Sequence, residues 1–403
     1  MDATTLSVFG LVYLGMLCGR LPWLALDRAG VALLGAIVLL AAGRLSPQAA
    51  WDSVDVSTIA LLLGLMVVSA QLRLGGFYTA LTRRLAAAPV SPSTLLALLV
   101  AVVGLLSALL ANDIVCLAVA PVLVEGCARR GLDPVPYLLA LACAANVGSA
   151  ATLIGNPQNM LIGQALHLPF GGYLLDAALP SALGLVAVWL VVRWRARGRW
   201  ERNISPPKVE APAFNAWQTG KGLAVLALLV AVFLLAPWPR DVVALGAAGL
   251  LMASRRTSSR RLLALVDWQL LVLFAGLFVV NHALSASGML AAALRAGASV
   301  GIDVARPGWL FGLSVALSNL VSNVPATMLL LPAATHPLAG PILALASTLA
   351  GNLLIVGSIA NIIVVDQAHR LGVRIGWLEH ARVGVPVTLL TLALAAGWLW
   401  LRA

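Results

Sequence analysis

Charge is scarce in this sequence: Asp, Glu, Lys and Arg make up only 10% of its 403 residues, whereas 61% are hydrophobic. A soluble chain of this length carries about 25% charged residues, so the composition excludes one. Apolar runs of roughly membrane-spanning length recur along the whole chain. The sequence therefore predicts an all-α polytopic membrane protein, embedded in a lipid bilayer and without a separate soluble domain.

Cysteine is scarce as well. The chain has four cysteines, and none of them forms a CxxC pair or a metal-ligand spacing. All four lie in or near apolar helices, where cysteine acts as a small packing residue. Neither a disulfide framework nor a zinc site is indicated, and no cofactor is expected.

Acidic residues are fewer than basic ones, which leaves a net charge of +11. In a soluble chain such an excess would suggest a nucleic-acid partner. Here the arginines sit in short loops between apolar runs, so membrane topology and anionic lipid explain the charge better, and no nucleic-acid partner is expected.

Ten spans are predicted, two of them broken by Gly, Pro and Asn. The unbroken spans cover roughly 4–21, 29–43, 56–72, 177–193, 221–236, 240–253, 264–283 and 378–401, and the broken ones 136–167 and 340–371. Segments 93–128 and 306–335 are apolar with polar centres, which suits re-entrant hairpins that enter and leave on one side. Segments 75–88 and 288–296 are predicted to lie along the membrane interface.

The chain repeats itself about two hundred residues later. At offsets of 212, 211 and 202 the matched pairs include Asp55 with Asp267, Gly76 with Gly288, Ser107 with Ser318, Asn112 with Asn323, Gly155 with Gly357, and Asn159 with Asn361. Because the pairs are collinear, the sequence predicts a duplication: a first repeat over 1–193, a basic linker over 194–220 and a second repeat over 221–403.

Arginine is unevenly distributed between the loops. If the basic segment 193–221 is cytoplasmic, most of the other loop arginines fall on the same side, as the positive-inside rule requires. Five spans per repeat is an odd number, so the second repeat is predicted to be inverted relative to the first. Both termini are then external, and a bacterial inner membrane is the expected location.

The first hairpin turns at Ala111-Asn112-Asp113, between two apolar runs. Asn112 is predicted to cap the returning helix, whose amide end would then face a cavity. Asp113 places a carboxylate near the membrane centre, where such residues are costly and serve as ion ligands or proton carriers. The alternative for Asp113 is a structural cap at a surface turn.

The second hairpin turns at Ser322-Asn323-Val324-Pro325. Asn323 is predicted to cap its helix, and Pro325 falls in the first helical turn, where a missing N–H is tolerated. This tip has no carboxylate, so the second site is expected to be neutral and to use carbonyl and amide groups.

The two broken helices are predicted to form the other walls of these sites. The residues singled out are Thr152, Gly155, Asn156 and Asn159 in the first, and Asn352, Gly357, Ser358 and Asn361 in the second. Unwound carbonyls can coordinate Na⁺, and the N-terminus of a half-helix favours an anion. For Asn146, Asn319 and Asn352, helix–helix hydrogen bonding without substrate contact is an equal alternative.

At these tips and breaks the chain resembles the ion transporter superfamily, which includes arsenite permeases, citrate and divalent-anion/sodium symporters, and some sodium/proton antiporters. The resemblance covers essentially the whole chain. It implies a mobile transport domain of hairpins and broken helices, a scaffold that usually forms a homodimer, and an elevator-type movement. It also implies a cation site between Asn112 and Asn159 and an inverted one between Asn323 and Asn361, with substrate between the tips.

The tips depart from the dicarboxylate symporters of this group, which carry Ser-Asn-Thr at both positions. Here they read Ala-Asn-Asp and Ser-Asn-Val. The missing threonine hydroxyls argue against a dicarboxylate. Asn-Asp at the first tip is closer to the arsenite-permease branch, and Asp113 favours coupling to protons.

The sequence thus predicts a secondary transporter, not an enzyme, that moves a small anion or oxyanion, with arsenite among the candidates, coupled to Na⁺ or H⁺. The main rival is a sodium/proton antiporter, for which Asp113 is the best titrating group. An ion channel needs a continuous polar pore, against which the two one-sided hairpins argue. A membrane enzyme is disfavoured because no His/Asp/Glu or Ser/His group clusters at one membrane depth.

Overall fold

The computed structural model describes residues 3–19, 25–202 and 205–402. The described residues of the first half form ten helices. They are α1 (Ala3–Cys18), α2 (Arg28–Ala41), α3 (Pro47–Asp52), α4 (Val56–Leu74), α5 (Phe77–Ala87), α6 (Pro92–Leu109), α7 (Asn112–Arg129), α8 (Pro134–Ser149), α9 (Pro157–Ala165) and α10 (Phe170–Ala196).

The described residues of the second half form ten more α-helices. They are α11 (Ala216–Leu235), α12 (Arg240–Met252), α13 (Ser259–Leu263), α14 (Trp268–Ala286), α15 (Met289–Ser299), α16 (Pro307–Val321), α17 (Asn323–Leu330), α18 (Ala339–Ala350), α19 (Ile359–Arg370) and α20 (Trp377–Arg402). Two single 3₁₀ turns, Leu331–Ala333 and Ile355–Gly357, complete this half.

Six of the described helices are long and apolar enough to cross a membrane: α4, α6, α10, α11, α14 and α20. The predicted spans at α1, α2 and α12 are helical but only 16, 14 and 13 residues long. The predicted span 4–21 ends outside the described residues. Both predicted interfacial segments form amphipathic helices, α5 and α15, and the sequence reading missed the short helices α3 and α13.

Local sequence explains where the matched helices begin. The side chain of Asp55 accepts a hydrogen bond from the backbone N–H of Thr58 and caps α4, and Asp267 caps α14 in the same way through Leu270. A carboxylate at this position satisfies an N–H that has no partner inside the helix, and it complements the positive end of the helix dipole. The pair 212 residues apart therefore performs the same local task in both halves.

Helices of one half pair with helices of the other. α2 packs along α14, α4 along α12, and α10 along α20. A Cβ on Gly64 would lie 2.5 Å from the backbone of Ala244, and one on Gly276 would lie 2.7 Å from the backbone of Ala32. Glycine is required at both crossings because the two backbones touch, and this close packing is typical of helix contacts in membranes.

The helices of the predicted hairpins and broken helices pack against one another. α6 and α7 are joined by a two-residue turn, and α16 and α17 by the single residue Ser322. Helical segments flank both predicted breaks, α8 and α9 around the first and α18 and α19 around the second. α8 and α18 are buried along nearly their whole length.

Candidate functional site

Both broken helices stabilise their unwound backbone with one asparagine. Asn159 donates its side-chain N–H to the carbonyls of Ser149 (3.3 Å) and Thr152 (2.9 Å). Asn361 donates to Gly351 (2.8 Å) and Leu354 (3.1 Å). The accepting residues are again 202 apart, so the two breaks share one hydrogen-bonding pattern. In lipid such freed carbonyls must find partners inside the protein.

The half-helices that follow the breaks are capped by the predicted residues. Asn156 accepts from the backbone N–H of Asn159 at 2.9 Å, and Pro157 is the first residue of α9. Ser358 takes the place of Asn156 in the second half and accepts from the backbone N–H of Ala360 at 3.2 Å. Each cap fixes where a helix N-terminus faces the middle of the protein.

A side chain from a neighbouring long helix holds one further carbonyl at each break. The Tyr173 hydroxyl on α10 donates to the carbonyl of Ala150 at 2.7 Å. On α20, Nε2 of His380 donates to the carbonyl of Asn352 at 3.1 Å. Tyr173 and His380 are each the fourth residue of their helix, so the two halves use the same position with different chemistry.

Asn146, on α8, joins the two halves. Its side-chain nitrogen donates to Oδ1 of Asn352 (2.8 Å) and of Asn361 (3.1 Å), and its Oδ1 accepts from the Ser358 hydroxyl at 2.8 Å. The same oxygen accepts from Asn112 at 3.3 Å. One buried amide thus contacts the first hairpin tip and the second break.

Thr348, on α18, makes the reciprocal contacts. Its hydroxyl accepts from Nδ2 of Asn156 (3.2 Å) and Nε2 of Gln158 (3.1 Å), and donates to Oδ1 of Asn159 at 3.4 Å. Thr348 lies 202 residues after Asn146. Asn146 and Thr348 therefore each reach the break of the other half.

The hairpin tips differ from the prediction in one respect. Asn112 is the first residue of α7, but no side chain caps this helix, and the Asn112 amide bonds Asn146 instead. Asn323 likewise begins α17 without capping it, because Ser322, with φ of 78°, holds the N-cap position. The prediction that the two asparagines are caps was wrong, since their side chains turn inward to other amides and carbonyls.

The tips are fastened to the breaks by backbone and side-chain bonds. The Asn112 backbone N–H donates to the carbonyl of Gly155 at 3.2 Å. With its nitrogen facing the acceptors, the Asn323 amide donates to the carbonyls of Gly357 and Ser347, both at 3.2 Å, and accepts from Gln158 at 3.1 Å. Each tip therefore contacts the glycine of the break in its own half.

Each tip also carries buried oxygen atoms without a hydrogen-bond partner among the described residues. They are the Ser107 hydroxyl and Oδ1 of Asn112 at the first tip, and Oδ1 of Asn319 at the second. A Cβ on Gly155 would lie 2.7 Å from the carbonyl oxygen of Ser107, and one on Gly357 would lie 3.0 Å from Oδ1 of Asn319. Beside Gly155 the nearby oxygen is the backbone carbonyl of Ser107, and beside Gly357 it is the unpartnered Asn319 side-chain oxygen itself. Such oxygens suit a hard cation, which prefers oxygen ligands.

Two predicted site residues lie outside this hydrogen-bonded network. Asp113 makes no hydrogen bond or ion pair with any residue that the structure describes, and its electrostatic neighbour on the other half is Asp267 at the start of α14. Ser322 contributes only its backbone carbonyl, which accepts from Ala326. The other predicted residues are joined by the network: Asn112, Thr152, Gly155, Asn156, Asn159, Asn323, Asn352, Gly357, Ser358 and Asn361.

Sequence reasoning missed several members of the network. Thr348 could have been found from the 202-residue offset to Asn146, and Ser318 from its identity with Ser107 at offset 211. The Ser318 hydroxyl contacts the Asn323 side chain and the carbonyl of Ser347. Tyr173 and His380 gave no such signal, because their roles depend on where α10 and α20 begin.

Comparison with known proteins agrees with this architecture. Residues 13–342 match the family model described as "Citrate transporter". The chain is 31% identical over 408 residues to an uncharacterized transporter of Mycobacterium tuberculosis, covering 93% of this chain and 94% of the relative. It is 28% identical over 470 residues to a silicon efflux transporter of Oryza sativa subsp. japonica, covering 96% and 95%.

A solved structure shares the fold. The YdaH transporter of Alcanivorax borkumensis superimposes with a TM-score of 0.61 at 14% sequence identity, covering 99% of this chain and 96% of that one. The chain is therefore a helical membrane transporter of the ion transporter superfamily. Within it, the protein belongs to the citrate transporter family, which confirms the resemblance noted at the hairpin tips and breaks.

Proposed function

We propose that this transporter is a secondary active carrier of a small anion or oxyanion, driven by Na⁺ or H⁺. The observation that carries the proposal is the meeting of two matched breaks in one buried network of Asn, Ser, Thr and Gln side chains. Intramembrane polar groups are costly, and interrupted helices in both halves are typical of a transporter's binding site.

The proposed anion site is formed by four helix N-termini. α7, α9, α17 and α19 all begin within the network, and each such end carries partial positive charge. Backbone N–H groups at helix starts bind anions without needing a charged side chain. A small anion held between the two tips would therefore be stabilised although no described Lys or Arg contributes to the network.

The proposed cation sites lie at the tips, one in each half. Ser107 and Asn112 would supply oxygens beside Gly155, and Asn319 would supply one beside Gly357. Asn159, Asn323 and Asn361 would hold the surrounding backbone in shape. A cation bound beside the anion stabilises it electrostatically, so the two would cross together more readily than either alone, and this gives coupling.

The proposed mechanism follows from the paired halves. We infer that residues 1–193 and 221–403 are inverted repeats joined by a cytoplasmic linker, and that both termini are external. The two hairpins and two broken helices would form a transport domain that moves as an elevator against the remaining helices. A homodimer would hold that scaffold fixed in a bacterial inner membrane.

A sodium/proton antiporter without an anionic substrate is the second candidate. The observation that favours it is Asp113, a partly buried carboxylate beside Asn112 with no hydrogen-bonding partner among the described residues. Such a group can carry a proton across the membrane. It stands second because the rest of the network is built from uncharged side chains.

The test is flux into liposomes containing the purified protein. Citrate, succinate, phosphate, sulfate, arsenite and silicic acid would be offered with and without a Na⁺ gradient and a pH gradient. We expect uptake of at least one of the anions or oxyacids that depends on one of the two gradients. A pH-gradient response that is lost in Asp113→Asn, without response to any of these substrates, would instead establish the antiporter.

The matched pair of variants is Asn112→Ala and Gln71→Met. Both remove a buried amide, but Gln71 lies on α4 and bonds only the carbonyl of Gln218, at 3.1 Å, away from the network. Coupled flux should be lost in the first and kept in the second. Equal losses in both would mean that the network has no special part in transport.

A further inference from the structure

Two arginines stand at equivalent places in the halves but differ in their hydrogen bonding. Arg28 is the first residue of α2 and Arg240 the first residue of α12, 212 positions apart. The Arg240 guanidinium donates to the carbonyl of Gly163, near the end of α9, at 2.7 Å. On the same side α4, the partner of α12, packs against α9. Here the first broken helix is fastened to the surrounding helices.

Arg28 has no such partner. Its Nε is buried without a hydrogen bond, and it forms no ion pair with the residues that the structure describes. The neighbouring carboxylate of Asp27 is occupied in capping α2, through the N–H of Gly30. Arg28 borders an open cleft of about 460 Å³ that separates the start of α14, at Asp267, from α19.

Burial of the two broken helices shows the same asymmetry. Ile362 on α19 lines the cleft and is 36% exposed, whereas Met160, its counterpart 202 residues earlier on α9, is 2% exposed. The side of the molecule at α9 is therefore closed and the side at α19 is open. In a protein with matched halves, this is what one of two alternating states would look like.

We propose that Arg240 and Arg28 are alternating latches. Arg240 holds α9 in the state seen here. In the opposite state the cleft closes, the Arg240 contact breaks, and the Arg28 guanidinium donates hydrogen bonds to oxygens in the last turns of α19. The inference rests on the proposed transport function, and it makes the two arginines positioning residues that set the balance between the two states.

The end of α19 offers Arg28 suitable acceptors. The carbonyl of Val365 occupies the position of the Gly163 carbonyl at offset 202. Asp366 follows Ile359 and Ile362 along the helix face that lines the cleft, and its carboxylate is 45% exposed, paired with Arg370 at 2.9 Å. A guanidinium bonded to such oxygens forms charge-assisted hydrogen bonds, which are the stronger kind.

Cysteine labelling tests the latches without any substrate. Cys18 is exposed at the cleft and would be replaced by Ser, while the other three cysteines are buried. Ile362→Cys and, separately, Met160→Cys would then report the open and closed sides through their rates of reaction with a hydrophilic maleimide. The ratio of the two rates follows the equilibrium between the states.

The reference is the Cys18→Ser protein, and the quantity compared is the labelling rate of Ile362→Cys divided by that of Met160→Cys. Arg240→Ala should lower this ratio by roughly tenfold, and Arg28→Ala should raise it by a similar factor. This is the effect expected for loss of one charged hydrogen bond. Arg240→Lys keeps one donor and should fall between. Asp366→Asn should act in the direction of Arg28→Ala. Opposite signs are the decisive readout, because a merely structural role would shift both variants alike.

Shifts in the same direction, or an unchanged ratio in both arginine variants, would overturn the proposal. If Arg240→Ala does not fold, Arg28→Ala and Asp366→Asn still test it, since a lowered or unchanged ratio in both excludes the second latch. Failure of the proposed function would be seen in a different experiment. If no anion of the panel is transported, the labelling result is unaffected. If coupled flux is observed but the labelling ratio is unchanged in the arginine variants, only the latch proposal is wrong.

Discussion

The two broken helices meet the same backbone requirement with different side chains. Asn159 and Asn361 hold equivalent carbonyls, yet Tyr173 supports the first break where His380 supports the second. The Asn146 amide of the first half bonds the second break, and the Thr348 hydroxyl of the second half bonds the first break. The shared feature is therefore the geometry of the break and not the identity of each supporting residue.

The surroundings of the two breaks differ more than the breaks themselves. α9 is buried along nearly its whole length and fastened by Arg240, whereas α19 faces an open cleft. This difference in exposure does not come from the backbone contacts of Asn159 and Asn361, because those contacts match in the two breaks. It arises from how each broken helix sits against its neighbours.

The largest expected difference between the halves concerns the two crossing side chains. Asn146→Ala leaves the oxygens of Asn352 and Asn361 and the Ser358 hydroxyl without a donor or acceptor, and should cost about 3 kcal/mol of stability. Thr348→Ala removes longer bonds, of 3.1–3.4 Å, and should cost about half as much. Melting temperatures of the purified variants in detergent would compare them. Equal shifts would contradict the ranking.

Next are the glycines of the breaks. A Cβ on Gly155 would lie 2.3 Å from the backbone oxygen of Ser149, whereas one on Gly357 would lie 3.0 Å from the Asn319 side chain and 3.1 Å from the carbonyl oxygen of Gly351. Gly155→Ala should therefore destabilise by about 2–3 kcal/mol and Gly357→Ala by about 1 kcal/mol. The same melting experiment, run beside coupled flux, measures both. A larger loss at Gly357 would mean that the first break can open to admit a methyl group.

The supporting residues of α10 and α20 give a smaller effect. Tyr173→Phe removes the donor to Ala150 and an acceptor for Asn159, and should cost about 1–2 kcal/mol. His380→Gln keeps a side-chain N–H for the carbonyl of Asn352 and should cost less than His380→Leu. Thermal unfolding of the three variants tests this. If Gln and Leu are equivalent at 380, the bond to Asn352 contributes nothing.

The smallest difference in stability between the halves is expected for the two matched helix caps, Asp55 and Asp267. Asp55→Ala and Asp267→Ala each remove one helix cap, at a cost of about 1 kcal/mol. Both carboxylates bond the backbone N–H of the third residue of their helix at 3.0 Å, and Asp55 also accepts from the Thr58 hydroxyl at 2.8 Å. The two shifts in melting temperature should therefore be close, with that of Asp55→Ala slightly the larger. A large inequality would show that one of the two aspartates has a second role, for which the proximity of Asp267 to Asp113 is the first place to look.

Much of the helix plan could be predicted because it depends on local patterns. Hairpin segments predicted at 93–128 and 306–335 became α6–α7 and α16–α17, and the polar interruptions marked both breaks within a few residues. The capping roles of Asn112 and Asn323 were predicted wrongly, because an asparagine at a helix start can cap its own helix or bond elsewhere, and only the position of Asn146 decides. Tyr173 and His380 were out of reach for the same reason.

Hydropathy, backbone chemistry and the offsets are enough to predict a helical membrane protein, the positions where its helices break, and the residues of the two halves that correspond. The tertiary structure decided what those residues touch. It brought Asn146 to Asn361 across 215 positions of the chain and left Asp113 outside the network. Among the described residues, it gave a hydrogen-bond partner to Arg240 but none to the Nε of Arg28. Matched local patterns would allow either α9 or α19 to be the broken helix that is closed against its neighbours. Only the packing of one half against the other selects which of the two it is.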